Sequence, residues 1–180
     1  MIIRRNNSTT LSVDSSVDKA SVSIRNLDGQ LFVKISNGTK DVEISKPGDY
    51  EYLGVGVTGF EVPVEKYSGV INLLKLNVDG VRVVISTQFR ETPKDILNSL
   101  ANIDILAIPV VNAIATKTLV NAVEPKKLVL IKAFGGEEVE LDTIQKSIGL
   151  VTLPEVSSVK YKSADFAVTG DIVLTGELLA

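Results

Sequence analysis

The chain has 180 residues, of which 44% are hydrophobic and 23% are charged, and its formal net charge is −3. A chain of this length can bury a full hydrophobic core, so we expect a single domain over residues 1–180. The negative balance offers no positive field for phosphate backbones, which argues against nucleic acid as a partner. The sequence contains no cysteine and no histidine, which excludes disulfides, thiolate ligands and every histidine-based catalytic or metal site.

Hydropathy also argues against a membrane partner. No apolar run approaches the roughly 20 residues that a helix needs to cross a bilayer. The first ten residues, MIIRRNNSTT, lack the apolar segment of a secretory signal. We therefore expect a cytoplasmic protein.

The first half of the chain has the pattern of antiparallel strands. QLFVKIS and DVEIS alternate apolar and polar residues and are joined by NGTK, which predicts a hairpin. NVDGVRV predicts a second hairpin with Asp79-Gly80 as its tight turn. The segment KPGDYEYLGVGVTGF places four glycines in strand-like sequence, as expected for turns and for positions of close backbone approach.

The second half alternates helices with strands. TPKDILNSLANI predicts a helix capped by Thr92 with Pro93 at its first position. IDILAIPVV and KLVLIKAF predict buried strands around a helix in AIATKTLVNAV, and ELDTIQKSIG predicts a helix that ends at Gly149. A loop is expected over residues 152–158, before short final strands. This alternation indicates an α/β (α+β) chain with helices packed on a sheet.

Three blocks in this order resemble the metallo-β-lactamase fold, in particular its small branch of zinc-dependent hydrolases that are similar to ascorbate-phosphate lactonases. The blocks are KPGDYEYLGVGVTGF, DGVRVVISTQFRETPKDILNSLANIDILAIPV and TLVNAVEPKKLVLIKAF, and together they span about residues 46–134. The resemblance implies an αββα sandwich of four layers, here reduced at its N-terminal part.

The resemblance also implies where metal ligands would lie. The first family motif, HxHxDH, falls near SIRNLDGQ, where only Asp28 could stand for the acidic member. The second motif places Ile85 at a histidine position and Gln88 at an aspartate position, and the third places Lys132 at a histidine position. An isoleucine has no lone pair, and a lysine ammonium repels a cation. We therefore expect no bound zinc and no other cofactor.

These residues predict a catalytically degenerate domain, a pseudoenzyme with a binding, regulatory or structural role. One hypothesis places the Lys132 ammonium near Asp28, in the position of the missing cation. Two alternatives stay open: a divergent metal-dependent hydrolase that uses oxygen ligands including Asp28, and an unrelated α+β binding module. The sequence leaves open both an unidentified protein partner and a homo-oligomer.

Overall fold

The computed structural model describes residues 1–63, 68–86, 92–109, 113–132, 141–149, 154–166 and 175–179. The described residues form two β-sheets, of six and eight strands, and three α-helices. This confirms the prediction of a mixed α+β chain. Gln88 lies outside the described residues.

The strands, in chain order, are β1 (Ile2–Asn7), β2 (Thr10–Asp14), β3 (Ser21–Leu27), β4 (Gln30–Ser36), β5 (Asp41–Ile44), β6 (Gly48–Tyr52), β7 (Val55–Phe60), β8 (Leu73–Val78), β9 (Val81–Ser86), β10 (Ile105–Pro109), β11 (Lys127–Ile131), β12 (Glu155–Val156), β13 (Ser158–Lys160) and β14 (Thr175–Leu179). The helices are α1 (Lys94–Ser99), α2 (Ala113–Val123) and α3 (Leu141–Ile148), and a short 3₁₀ helix covers Ser163–Phe166.

The smaller sheet is antiparallel and has the order β13-β1-β2-β3-β4-β5. The larger sheet has the order β12-β14-β11-β10-β9-β8-β7-β6. Strands β6 to β9 pair antiparallel, whereas β9, β10, β11 and β14 pair parallel. Both predicted hairpins, β4–β5 and β8–β9, are confirmed, and Asp79 and Gly80 both have positive φ in the second turn.

The main core lies between the two sheets. Alternate residues of β3 and β4 point into it, including Val22, Ile24, Val33 and Ile35, all fully buried. Their neighbours in sequence point outward because successive side chains of a strand alternate between its faces. The smaller sheet is therefore apolar on its inner face and mostly polar on its outer face.

A second core lies on the other face of the larger sheet. Strand residues such as Leu106, Leu128 and Leu130 pack there against apolar residues of α2 and α3, including Val120 and Ile144. All three described α-helices contribute to this layer. Within the described ranges, no helix covers the outer face of the smaller sheet, so the layers seen are sheet, sheet and helix.

The predicted helices are present, with small differences at their ends. Pro93, not Thr92, occupies the N-cap position of α1, because its ψ of 145° is extended and its carbonyl accepts the first helical hydrogen bond from Leu97. Helix α3 is followed by Gly149 with φ of 75°, as expected for a C-terminal glycine. None of the helices in the described part of the chain has the length and apolar character that a membrane crossing requires.

The expected loop over residues 152–158 is only partly correct. Residues 152 and 153 lie outside the described part of the chain, but β12 and β13 occupy most of the remainder. Both strands are short and belong to different sheets. A pattern of two or three residues is too short to reveal strand periodicity in the sequence.

The glycine-rich segment forms β6 and β7. Its glycines occur both in a turn and at a position of close approach, as the sequence predicts. Gly54 has φ of 72° in the turn between these strands. At Gly59, an added Cβ would lie 2.7 Å from Cδ1 of Ile71, so the absence of a side chain permits this close approach. The Ile71 carbonyl then accepts a 2.6 Å hydrogen bond from the backbone N–H of Leu31, which ties β4 to the larger sheet.

Candidate functional site

Asp28 lies in the turn between β3 and β4. With Gly29 it forms the two central positions of this turn, and both residues have positive φ. An Asp-Gly pair is a preferred sequence for such turns, which gives Asp28 a conformational reason to be present. Its side chain is exposed.

The Asp28 turn and the carboxyl end of β9 lie at the same end of the sandwich. The backbone N–H of Leu31, just after the turn, donates a hydrogen bond to the Ile71 carbonyl. Two residues later, Leu73 begins β8 and pairs with Ser86 at the end of β9. The carboxyl ends of the parallel strands β10 and β11 lie along this same edge, where α/β proteins commonly bind ligands. We call it the carboxyl end of the sandwich.

Ile85 does not face an open site. Its side chain is fully buried in the core between the sheets. In the strand register it lies beside Ala107, which lies beside Val129, and both are buried apolar residues of the same core. Hydrocarbon therefore fills the interior at the position where the resemblance expects a metal-binding histidine.

Lys132 follows β11 and is half-buried, and its backbone N–H donates a 3.0 Å hydrogen bond to the Leu179 carbonyl. Among the described ion pairs, none joins Lys132 to Asp28. The donor set at Asp28, Ile85 and Lys132 does not fit zinc, because it combines one exposed carboxylate with a hydrocarbon and a cation. In the described ranges, no group of three or more acidic side chains could hold a metal ion.

The buried polar side chains described at the carboxyl end of the sandwich are two amides and a hydroxyl. Asn26, Asn72 and Ser86 are each 1% exposed. The Asn72 side chain accepts from the backbone N–H of Val62 and donates to its carbonyl, both at 2.7 Å. These contacts fix the backbone that follows β7, so the role visible for Asn72 is structural.

The opposite end of the sandwich contains a buried carboxylate with several hydrogen-bond donors around it. The Asp79 carboxylate accepts hydrogen bonds from the Ser15 hydroxyl (2.5 Å), the Ser16 backbone N–H (2.7 Å) and the Ser16 hydroxyl (2.8 Å). The Met1 α-amino group lies 3.0 Å away. Burial alone would raise the pKa of Asp79, but these donors outweigh it and lower the pKa well below its usual range.

Asp104 forms a second charged cluster, just before β10. It accepts from the Arg82 backbone N–H at 2.9 Å and from the Lys126 ammonium at 2.9 Å, and its side chain is 4% exposed. Lys126 also donates to the Phe166 carbonyl at 2.9 Å. Burial is outweighed by these donors, which lower the pKa of Asp104. The cluster joins the amino ends of β10 and β11 to the 3₁₀ helix.

Tyr161 provides a third polar contact in this region. Its hydroxyl donates to the Glu177 carboxylate on β14, and its ring lies 5.6 Å from the ring of Phe166. Burial, followed by the adjacent Glu177 carboxylate, raises the pKa of Tyr161. The contacts described for these three clusters are made within the protein, so they stabilise the fold at this end.

The outer face of the smaller sheet contains an open groove of about 410 Å³. We call it the outer-face groove. It is lined by side chains of four adjacent strands: Thr10, Ser23, Arg25, Phe32, Lys34 and Glu43.

Strand register brings these side chains together. Arg25 pairs directly with Phe32, and Ser23 pairs with Lys34, which pairs with Glu43. The Arg25 guanidinium lies 5.4 Å from the centre of the Phe32 ring. Phe32 thus places an aromatic ring among polar side chains of this face.

The cations of the groove each have a nearby acid on β5. Arg25 lies 4.0 Å from Glu43, and the Lys34 ammonium lies 2.6 Å from Asp41. A hydrogen bond from Lys34 to Asp41 raises the pKa of Lys34. All four side chains are more than half exposed, so the pairs are open to water and to a ligand.

Sequence reasoning missed this groove. The alternation in SVSIRNL and QLFVKIS could have placed Arg25, Phe32 and Lys34 on outward faces, but it does not say which strands are neighbours. Comparison of the chain with protein-family models, with curated proteins and with solved structures gave no match.

Proposed function

We propose that this protein is a non-catalytic binding domain with a metallo-β-lactamase-like framework, which binds its ligand in the outer-face groove. The observation that carries the proposal is the burial of Ile85 beside Ala107 and Val129. A hydrocarbon side chain in the packed core supplies neither a metal ligand nor a proton-transfer group. The outer-face groove, by contrast, exposes charged, hydroxyl and aromatic side chains.

The element order supports the metallo-β-lactamase-like part of the proposal. Two sheets pack face to face, and the larger one contains the expected hairpin followed by strands and helices in alternation. The outer face of the smaller sheet, which no helix of the described residues covers, favours the alternative, an unrelated α+β binding module. An experimental structure of the whole chain distinguishes them: a helical layer over this face supports the first, and its absence supports the second.

The test of the non-catalytic role is elemental analysis of tag-free protein after incubation with zinc, manganese and magnesium salts. A histidine tag must be absent because it would supply ligands that the chain lacks. We expect background metal in the wild type and in Asp28→Ala alike. About one metal ion per chain, lost in Asp28→Ala, would contradict the proposal and favour a divergent hydrolase with oxygen ligands.

A further inference from the structure

The turn between β4 and β5 contains Asn37 and Gly38, the only Asn-Gly pair in the sequence. Both residues are exposed. Gly38 has φ of 89°, and no atom beyond its chain neighbours lies within 4 Å of the position that a Cβ would occupy. An asparagine followed by a glycine is open to attack by the next backbone nitrogen on its side-chain carbonyl carbon, because no side chain shields that nitrogen. The two reacting groups belong to adjacent residues, so no other molecule has to bind first.

The contacts of the Asn37 side chain favour this attack. Its Oδ1 accepts hydrogen bonds from the Thr39 backbone N–H at 3.1 Å, the Thr39 hydroxyl at 3.0 Å and the Lys40 backbone N–H at 2.9 Å. These donors follow Asn37 in the chain, so they fold its side chain toward the side on which the Gly38 nitrogen lies. They also stabilise the negative charge that develops on Oδ1 as the nitrogen attacks.

The Gly38 nitrogen does not close the turn. Its N–H donates to the Ser36 hydroxyl at 3.1 Å, which polarises the bond that must break. The turn is closed instead by the Asn37 backbone N–H, which donates to the Lys40 carbonyl at 3.2 Å. Loss of the Gly38 proton therefore leaves the closing hydrogen bond of the hairpin in place.

We propose that Asn37 is a site of self-modification in the folded protein, at which the Gly38 nitrogen displaces ammonia from the Asn37 side chain. The Gly38 nitrogen bonds to Cγ and gives its proton to water. The bond from Cγ to the side-chain nitrogen breaks, and that nitrogen takes up a proton and leaves as ammonia. Water then opens the resulting cyclic succinimide at either carbonyl, which gives aspartate or isoaspartate at position 37. The inference does not depend on the proposed function.

Either product changes the edge of the smaller sheet. Both add a negative charge just before the acidic strand β5, which contains Asp41 and Glu43. Isoaspartate also lengthens the backbone of the turn, and the register of a hairpin depends on the length of its loop. We therefore expect isoaspartate to weaken the pairing of Ser36 with Asp41. Because the reaction is slow and irreversible, the modified fraction increases with the age of the protein.

A second turn of the chain supplies a matched control. The Asn7 Oδ1 accepts from the backbone N–H and the hydroxyl of Thr9, at 2.9 and 3.1 Å. Thr39 offers the same pair of donors to Asn37. The residue after Asn7, however, is Ser8 and not a glycine. The comparison of the two turns therefore tests the contribution of the glycine.

The experiment is incubation of the tag-free protein at neutral pH and physiological temperature, followed by trypsin digestion and mass spectrometry. Trypsin releases the two turns in separate peptides, Asn6–Lys19 and Ile35–Lys40. We expect Ile35–Lys40 to gain the mass of amide-to-carboxylate conversion at least about tenfold faster than Asn6–Lys19, because Ser8 has a Cβ. Fragmentation of the product is expected to show both aspartate and isoaspartate. A sample digested without incubation measures conversion during the digestion itself.

Reciprocal substitutions test the cause. Gly38→Ser gives both turns the sequence Asn-Ser-Thr and is expected to slow conversion at Asn37 by at least about tenfold, whereas Ser8→Gly is expected to speed conversion at Asn7 by a similar factor. Thermal unfolding confirms that each variant is folded before it is incubated.

The free peptide ISNGTK measures what the same residues do without the turn. We expect Asn37 to react at least as fast in the folded protein as in this peptide, because the donors from Thr39 and Lys40 are already in place. Three results would overturn the proposal: equal rates at Asn37 and Asn7 in the wild type, an unchanged rate in folded Gly38→Ser, and slower conversion in the folded protein than in the peptide. The last would show that the turn protects Asn37.

Discussion

The outer faces of the two sheets have opposite character. In the larger sheet, β10 is buried along its whole length because helices cover one face and the smaller sheet covers the other. In the smaller sheet, β3 and β4 alternate strictly between buried and accessible residues. The difference shows that a strand's polarity pattern reports how many of its faces are covered, since an antiparallel sheet tolerates water on one side.

The largest effect is expected where the helices cover the larger sheet. Leu106→Ala removes a fully buried side chain of the second core, and should lower the free energy of unfolding by about 3 kcal/mol. Phe32→Ala, on the outer face of the smaller sheet, should lower it by about 1 kcal/mol or less. Urea denaturation measures both. Equal losses would mean that the outer face of the smaller sheet is also covered.

Buried and exposed carboxylates are expected to differ in the same way. Asp104→Ala removes the partner of Lys126 and Arg82 at a site where the carboxylate is almost fully buried. Since both cations are partly exposed, we expect a loss of about 2 kcal/mol in the free energy of unfolding. Asp41→Ala, which removes an exposed carboxylate, is the matched control. A smaller loss for Asp104→Ala than for the control would contradict a structural role for the cluster.

Acid should destabilise the protein by protonating the buried carboxylates of Asp79 and Asp104. The folded-state pKa values of Asp79 and Asp104 are both below the ordinary value of 3.8, so their ionised forms stabilise the fold above that pH. This stability is lost as the pH falls below 3.8 and through the folded-state values. Asp104→Asn should flatten part of this decline in a urea-midpoint series. A wild-type midpoint that is unchanged below pH 3.8 would exclude the effect.

The smallest effect is expected on the outer face of the smaller sheet. Lys34→Ala breaks the 2.6 Å pair with Asp41, but both side chains are more than half exposed. We expect a loss of less than about 0.5 kcal/mol in the free energy of unfolding, decreasing further with added salt. Thermal unfolding at low and high salt checks this. A large, salt-independent loss would indicate that Lys34 is held in a buried contact.

Short sequence segments were sufficient to predict many of the turns and helices. The hairpin turns at NGTK and Asp79-Gly80, the helix in AIATKTLVNAV and the end of α3 at Gly149 all follow from short stretches of chain. In each case turn chemistry or apolar periodicity acts within a few residues. The N-cap of α1 was misplaced by one residue because Thr92 and Pro93 both suit helix starts.

The candidate site was much less predictable. Asp28 was singled out as a metal-ligand position, yet its Asp-Gly sequence also fits the turn that it occupies. Ile85 could be recognised as apolar, but its place beside Ala107 in the core depends on the pairing of β9 with β10. The outer-face groove depends on three strand pairings at once.

The sequence by itself determined the local elements and limited the reactive groups: without histidine or cysteine, only carboxylate, lysine, tyrosine and hydroxyl groups remain as candidate nucleophiles or proton-transfer groups. Only the tertiary structure decided which of these groups meet. Asp104 and Lys126 are 22 residues apart, and Arg25 and Glu43 belong to strands separated by β4. Such contacts follow from strand order and register, which depend on the packing of the whole core and not on any short segment of the chain.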